Sequence, residues 1–224
     1  MKLIVIEGPD GCGKTTQAEI LFEKLKKKYE HVFLVSFPNY GSKGCKMVEM
    51  YLNGEFGSDP NSINPYVASS FYAIDRYMYF KENKFPKDSI IICNRYTTSN
   101  LIHQMSKLPK CEWIGFNKWL SDLEFLKYDI PMPTLEVYLY LKPEVSLDLI
   151  KSRYNSDESK MDIHETLEFQ QQSVMPIEEY LKNQFVAKMS FLDYFKVVDC
   201  NSENSIKPVE EIADLVWDQV EKIL

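Results

Sequence analysis

Basic residues are outnumbered in this chain. Across 224 residues, 26 Lys and Arg stand against 33 Asp and Glu, a formal net charge of −7. No broad electropositive face follows, so polymeric nucleic acid is not an expected partner. A small anion remains compatible, because one helix terminus and a few cations can hold it locally. Cys12, Cys45, Cys93, Cys111 and Cys200 are odd in number, widely spaced and contain no CxxC pair. Zinc and disulfide frameworks are therefore not expected, and a reducing, cytoplasmic location is. Glycine (8) and proline (11) are too scarce for a fibrous or low-complexity chain. Long hydrophobic runs are missing too. The opening is apolar over only four consecutive residues, Leu3 to Ile6, before Glu7 and Gly8. It lacks the length and cleavage region of a signal peptide, and no segment suggests a membrane partner.

The composition that remains is globular. Apolar residues make up 45% and charged residues 26%, enough for a continuous core in one domain over 1–224. No repeat or linker divides the chain. Short apolar runs at Leu3–Ile6, Val32–Val35, Ile90–Cys93, Leu135–Leu141 and Phe195–Val198 predict strands buried on both faces. After the first run, Ala18, Leu21, Phe22 and Leu25 share one helical face. Further helices are predicted over about 65–83, 113–127, 143–152, 163–184 and 206–223. In the last, Ile212, Leu215, Val216 and Val220 suit a core-covering helix better than a membrane anchor. Alternating strands and helices predict an α/β fold, a five-stranded parallel sheet between helical layers, with strand order left open. Residues 152–161 are polar and interrupt two helical patterns. They read as a surface loop, or as a mobile lid if the protein handles phosphates.

Gly8-Pro-Asp-Gly-Cys-Gly13-Lys14-Thr15 satisfies GxxxxGK[ST] between a predicted strand and helix. A chance match in a chain of this length is on the order of 1%. Gly8, Gly11 and Gly13 permit close backbone approach, and the following helix adds its positive end. Lys14 supplies a cation for the β and γ phosphates, and Thr15 a hydroxyl for Mg²⁺. Gly8, Asp10, Gly11, Cys12, Gly13, Lys14, Thr15 and Thr16 are thus the candidate ATP site. A guanine-reading Asn-Lys-x-Asp segment is absent: Asn83-Lys84 and Asn117-Lys118 both lack the aspartate. Phosphoryl transfer to a second bound molecule is favoured over timed GTP hydrolysis.

Five segments in order carry a more specific resemblance. They are the Gly8–Thr16 loop, Phe37-Pro38, Phe71-Tyr72-Ala73-Ile74-Asp75-Arg76, Asn94-Arg95-Tyr96, and Asp162-Ile163-His164-Glu165 before Phe169 and Gln170. Together they resemble the thymidylate kinase family of P-loop nucleoside-monophosphate kinases. The resemblance implies a P-loop three-layer sandwich, transfer of the ATP γ-phosphoryl group to dTMP, Mg²⁺ as cofactor and a homodimer. Tyr77, Tyr79, Trp113 and Trp119 could contribute to a subunit surface, with core packing as the equal alternative.

The four-residue spacing lets one helix present Tyr72 and Arg76 to one cleft. Tyr72 has a flat face for a pyrimidine and Arg76 has donors for its carbonyl edge, roles the family assigns to the matching positions. A packed tyrosine and a surface arginine are the alternatives. Arg95 follows a parallel strand at its carboxyl end. The family implies that it bridges acceptor and transferred phosphates; a structural salt bridge is the alternative. Phe37 resembles a residue lining the acceptor cleft, and Asn100 one that contacts thymine, while Ser99 or Asn100 could instead cap a helix. Asp10 resembles the acid that receives the acceptor 3′-hydroxyl, compensated by Mg²⁺, Lys14 or Arg95. Gly11 stands where one branch of the family has arginine. That favours the branch in which the lid supplies the cation, with Arg153 first and Lys160 second. Glu165 resembles a glutamate near the acceptor sugar.

Four departures bear on selectivity. Asn94 replaces the usual aspartate, weakening direct Mg²⁺ support there; Thr15 is the metal candidate, through water with Asp10 or Asn94, and Asp10 or Glu7 gains weight. Tyr40 stands where arginine is common, with Lys43 as a substitute clamp. His103 replaces a tyrosine that closes the ribose 2′ space, and Ile163 replaces a lid-flank arginine. A related deoxynucleotide or nucleoside kinase, and an ATP-binding regulator with an impaired acceptor site, are the competing readings.

Overall fold

The run Leu3 to Ile6 has no polar face to turn to water, and it lies in the middle of the sheet. The computed structural model describes residues 1–57, 59, 61–153, 167–181, 194–203 and 205–224. The strands β1 (Lys2–Glu7), β2 (Val32–Ser36), β3 (Ile90–Asn94), β4 (Leu135–Tyr140) and β5 (Phe195–Asp199) form one sheet in the order β2-β3-β1-β4-β5. Every pairing is parallel; Ile4 lies opposite Ile92 on one side and Leu135 on the other. The connections contain α1 (Lys14–Lys26), α2 (Lys46–Leu52), α3 (Pro65–Glu82), α4 (Thr98–His103), α5 (Trp113–Ser121), α6 (Pro143–Arg153), α7 (Leu167–Leu181) and α8 (Val209–Val220).

The pleat divides the strand residues between two helical layers. Ile4, Ile6, Ile92, Val137 and Leu139 pack with Ala18 and Leu25 of α1 and Ile212 and Val216 of α8. On the opposite face, Leu3, Val5 and Ile91 meet aromatics of α3, while Tyr138 and Phe195 meet side chains of α4, α5 and α7. The expected three-layer α/β sandwich is present. The connections from neighbouring β1 and β3 leave toward opposite edges of the sheet, which opens a crevice at their carboxyl ends. Both the phosphate loop and Arg95 emerge there.

Three local differences from expectation have identifiable causes. Helix α2 has only Val48 and Tyr51 buried, too few for a periodic signal. The helix expected through 127 is α-helical to Ser121 and then widens to a π-helical turn over Asp122–Lys127, with Tyr128 N–H donating to Leu123 O at 2.9 Å. Of the aromatics considered for a subunit surface, Trp113 is buried, Trp119 packs on Tyr66 and Phe116, Tyr77 on Tyr128 and Tyr79 on Phe37. Packing within the subunit explains them.

Of the proposed lid, Ser152 and Arg153 end α6, and 154–161 lie outside the described residues. The described part of the helix expected over 163–184 is α7. Among the described residues no helix is long and apolar enough to cross a membrane.

Ile92 is fully buried on β3, which ends at Asn94 and leads into Arg95. Ile92→Ala should lower unfolding free energy by about 2–5 kcal/mol in urea titrations.

Candidate active site

The phosphate loop is shaped by backbone that only glycine adopts readily. Gly13 has φ +87° and precedes α1 as its cap. Gly11 has φ +80°, and a Cβ there would sit 2.8 Å from Ser146 O. The loop therefore has no room for an arginine at that position. Helix α1 has no side-chain cap and no acid in its first turn, so its first N–H groups can receive an anion. Lys14 Nζ rests 2.7 Å from Pro9 O and 3.7 Å from Asp10 Oδ1. Thr15 and Thr16 are exposed beside it. Cys12 turns its thiol into the core, where burial pushes its pKa up, and leaves its backbone to the loop. Ser146 Oγ hydrogen-bonds Asp10 O and ties α6 to this loop.

An open cleft lies next to Asp10. Its lining brings together Asp10, Phe37, Tyr72, Arg76, Arg95, Ser99, Asn100 and His103, every candidate acceptor residue within the described regions. Pro38, Tyr40, Leu52 and Tyr96 complete it.

Arg95 sits at one end with φ +69°, a backbone state uncommon outside glycine. Its guanidinium pairs with Asp10, reaches Glu7 Oε1 at 3.2 Å and donates to His103 Nε2 at 3.0 Å. Because arginine can only donate, His103 Nε2 accepts and the ring proton lies on Nδ1. Burial disfavours the Arg95 charge, but Asp10 and Glu7 more than offset it and raise its pKa above the ordinary value. Glu7 itself is wholly buried. Its oxygens accept from Gly8 N (2.9 Å), Arg95 Nη1 (3.2 Å), Tyr96 N (3.4 Å) and Ser99 Oγ (2.5 Å).

The other end is built around Arg76, 1% exposed at the cleft wall. The alternative of a surface arginine is thereby ruled out. Arg76 Nε and Nη2 donate to Glu124 Oε2 and Oε1 at 2.6 and 2.7 Å, and Nη1 to Tyr96 O at 3.2 Å. Burial opposes its charge and Glu124 outweighs that cost, so its pKa too stands above the ordinary value. Asn100 Nδ2 approaches Ser69 O at 3.4 Å and Glu124 Oε1 at 3.5 Å. Tyr72 meets Tyr51 edge to face, at 6.3 Å between ring centroids. Asp75 accepts from Asn39 N at 2.8 Å, holding the segment after the cis Phe37–Pro38 bond near the cleft.

A family model for thymidylate kinase matches residues 6–189. The chain belongs to the thymidylate kinase family. It is a kinase, and the family reaction is ATP-dependent phosphorylation of dTMP to dTDP. The chain is 27% identical over 158 residues to a thymidylate kinase of Mycobacterium tuberculosis, covering 69% of this chain and 73% of that one. It is 26% identical over 225 residues to a probable thymidylate kinase of Methanococcus maripaludis, covering 100% and 98%. A solved thymidylate kinase from Candida albicans superposes with TM-score 0.66 at 21% identity, over 99% of this chain and 91% of that one.

Several sequence expectations need correction against this geometry. Glu7 is committed to four protein donors, which argues against a part in holding Mg²⁺. Asn94 turns its amide donor to Thr15 Oγ1 (3.1 Å) and Ser36 Oγ (3.2 Å). Capping does not explain Ser99 or Asn100: α4 follows Thr97, without a side-chain cap, and Ser99 bonds Glu7 instead. Tyr40 lines the cleft while Lys43 is exposed outside its lining. Phe71, beside Tyr72 in the motif, is half-buried against Tyr51 and Phe56. The Arg153 side chain, Lys160, Ile163 and Glu165 lie outside what the structure describes.

Glu124 and Glu136 are buried acids outside every motif, and Asp75, though inside the Phe71–Arg76 segment, has no role assigned to it. A carboxylate inside an apolar pattern is the available signal, most visibly Glu136, the second residue of Leu135–Tyr140. Glu136 is fully buried, accepts from Thr98 Oγ1 at 3.0 Å, and leaves Oε1 unpartnered. Burial first, and Glu7 second, push its pKa up to about 8. The folded state thus binds a proton that the unfolded state releases near pH 4.5. Stability is predicted to fall as pH rises from about 5 to 8, then to lose this dependence above the folded pKa. Glu136→Gln should flatten that portion of the curve of urea midpoint against pH; an unchanged slope would refute the assignment.

Proposed function

We propose that the crevice between the β1 and β3 loops transfers the ATP γ-phosphoryl group directly to the phosphate of dTMP. The observation carrying this reading is the meeting of Asp10, from the phosphate loop, with Arg95 at the mouth of the acceptor cleft. ATP phosphates lie along the amides of Gly8 to Thr16 and the start of α1, with Lys14 released from Pro9 O to the β and γ oxygens. At the other end, Tyr72 covers the thymine ring while Arg76 and Asn100 meet its polar edge. Phe37 and Ser99 confine the nucleotide, and Asp10 receives the sugar 3′-hydroxyl.

The acceptor phosphate is already an anion and needs no general base. One of its oxygens bonds the γ-phosphorus as the bond to the β–γ bridging oxygen breaks, and ADP keeps that electron pair. Catalysis is alignment and charge neutralisation. Arg95 spans both phosphates, held beforehand by Asp10 and Glu7. Arg153, at the end of α6, completes the charge from the lid side.

Mg²⁺ fits this site as an ion carried mainly by nucleotide oxygens. Among the described residues no group of three or more His, Cys, Asp or Glu could cage a metal, and Thr15 offers an exposed hydroxyl. In this reading Asp10 supports the ion through water, whereas Asn94 has its amide donor committed to Thr15 and Ser36. When bound, Mg²⁺ neutralises charge shared by the β and γ phosphates. A homodimer is part of this reading, supported by exposed Val67 and Ile74 one heptad apart on α3.

A coupled ADP-release assay with ATP and Mg²⁺ should give its highest rate with dTMP among dTMP, dUMP, UMP, dCMP, dGMP and thymidine, with dTDP confirmed by mass. Folded, ATP-binding protein with no acceptor-dependent turnover would sink the reading. Lys14→Ala should lower kcat on the order of 10²–10³-fold while leaving the thermal transition in place.

A further inference from the structure

Glu124 has no exposed surface, no place in the phosphate loop and no direct part in phosphoryl transfer. It is nevertheless, among the described residues, the carboxylate that touches both polar residues at the base end of the cleft. Its two oxygens take Arg76 Nε and Nη2 side-on, and Oε1 lies 3.5 Å from Asn100 Nδ2. The π-helical turn delivers it there, and Ile130 N–H closes back onto Glu124 O at 3.2 Å.

This contact sorts the hydrogen-bonding groups of the two neighbours. Arginine has five N–H donors. Glu124 takes two and Tyr96 O a third, which leaves one on Nη1 and one on Nη2 for the cleft wall. Asn100 has its amide nitrogen drawn toward two acceptors, Ser69 O and Glu124 Oε1, so Oδ1 is the atom it can offer the cleft. The wall then presents donors beside an acceptor. A pyrimidine with a 4-oxo group and an N3–H presents the complement. A 4-amino pyrimidine sets donors against donors and an unprotonated N3 against Oδ1, and leaves buried groups unpaired.

We propose that Glu124 is a positioning residue that orients Arg76 and Asn100 for a 4-oxo, N3–H pyrimidine edge and thereby sets discrimination against 4-amino acceptors. The proposal rests on the acceptor reading above. It adds the element that makes the edge directional, since Arg76 without its side-on partner could turn within the cleft wall and Asn100 could flip its amide.

The test compares wild type with Glu124→Gln and Glu124→Asp, measuring kcat and KM for dTMP, dCMP and ATP. Glu124→Gln keeps the shape but sets an amide donor against a guanidinium donor. KM for dTMP should rise about tenfold or more and the dTMP-over-dCMP ratio of kcat/KM fall about tenfold, with kcat and the ATP KM within about twofold. Glu124→Asp keeps the charge on a shorter arm and should recover part of the ratio. Thermal melting identifies variants that fold; if Glu124→Gln does not, Glu124→Asp carries the comparison, with an intermediate loss expected. A folded variant with unchanged dTMP KM and ratio overturns the proposal, as does an equal rise in both substrates' KM. A wild-type chain that turns over other acceptors but not dTMP overturns the acceptor reading and this inference with it. Failure in the variants alone leaves that reading standing.

Discussion

Glu7 ends the central strand with a charge that water cannot reach, and its four donors come from three parts of the chain. Gly8 begins the phosphate loop, Arg95 and Tyr96 follow β3, and Ser99 lies in the first turn of α4. A carboxylate stripped of water is costly unless its lone pairs are met, so these segments are held to one mutual arrangement. That arrangement sets Asp10 against Arg95 and gives the crevice its mouth. The glycine backbone of the loop and the left-handed backbone of Arg95 then persist as conformations fixed by their surroundings.

Buried charge recurs at the opposite end of the cleft, with Arg76 and Glu124. Such pairs add little net stability, because desolvating both ions consumes most of their attraction. Their effect is geometric. Two charge-assisted bonds hold a guanidinium that would otherwise sample several rotamers, and a ligand then meets donors already in place. Removing one partner would leave the other charge buried and unpaired, a far larger loss than the worth of the pair. Arg95 follows the same logic with two acids and an imidazole.

The departures from the family pattern fall around this frame. Asn94 donates to Thr15 and Ser36, linking β3, the phosphate loop and β2 through neutral bonds where the family usually has a charge. His103 accepts from Arg95, so it belongs to the charged network as well as to the cleft wall. Gly11 has the Ser146 backbone oxygen 2.8 Å from where its Cβ would be, which leaves no room there for a side chain.

The parts of this protein whose causes are local are legible in its residues. Five apolar runs became five strands because a segment with no polar face must be buried, wherever it goes. The glycine spacing and Lys14 located the phosphate loop because a strand, a tight turn and a helix start are contiguous. Ordered motifs sufficed for the family, and they named residues that do meet in one cleft. Tertiary structure alone decided the strand order, the π-helical widening and the partners of the buried acids. Arg76 and Glu124 are 48 residues apart, Glu7 and Ser99 are 92 apart, and neither pair leaves a periodic trace. An acid in a sequence reads as solvated surface until the fold removes the water, and only then does its charge require a particular partner.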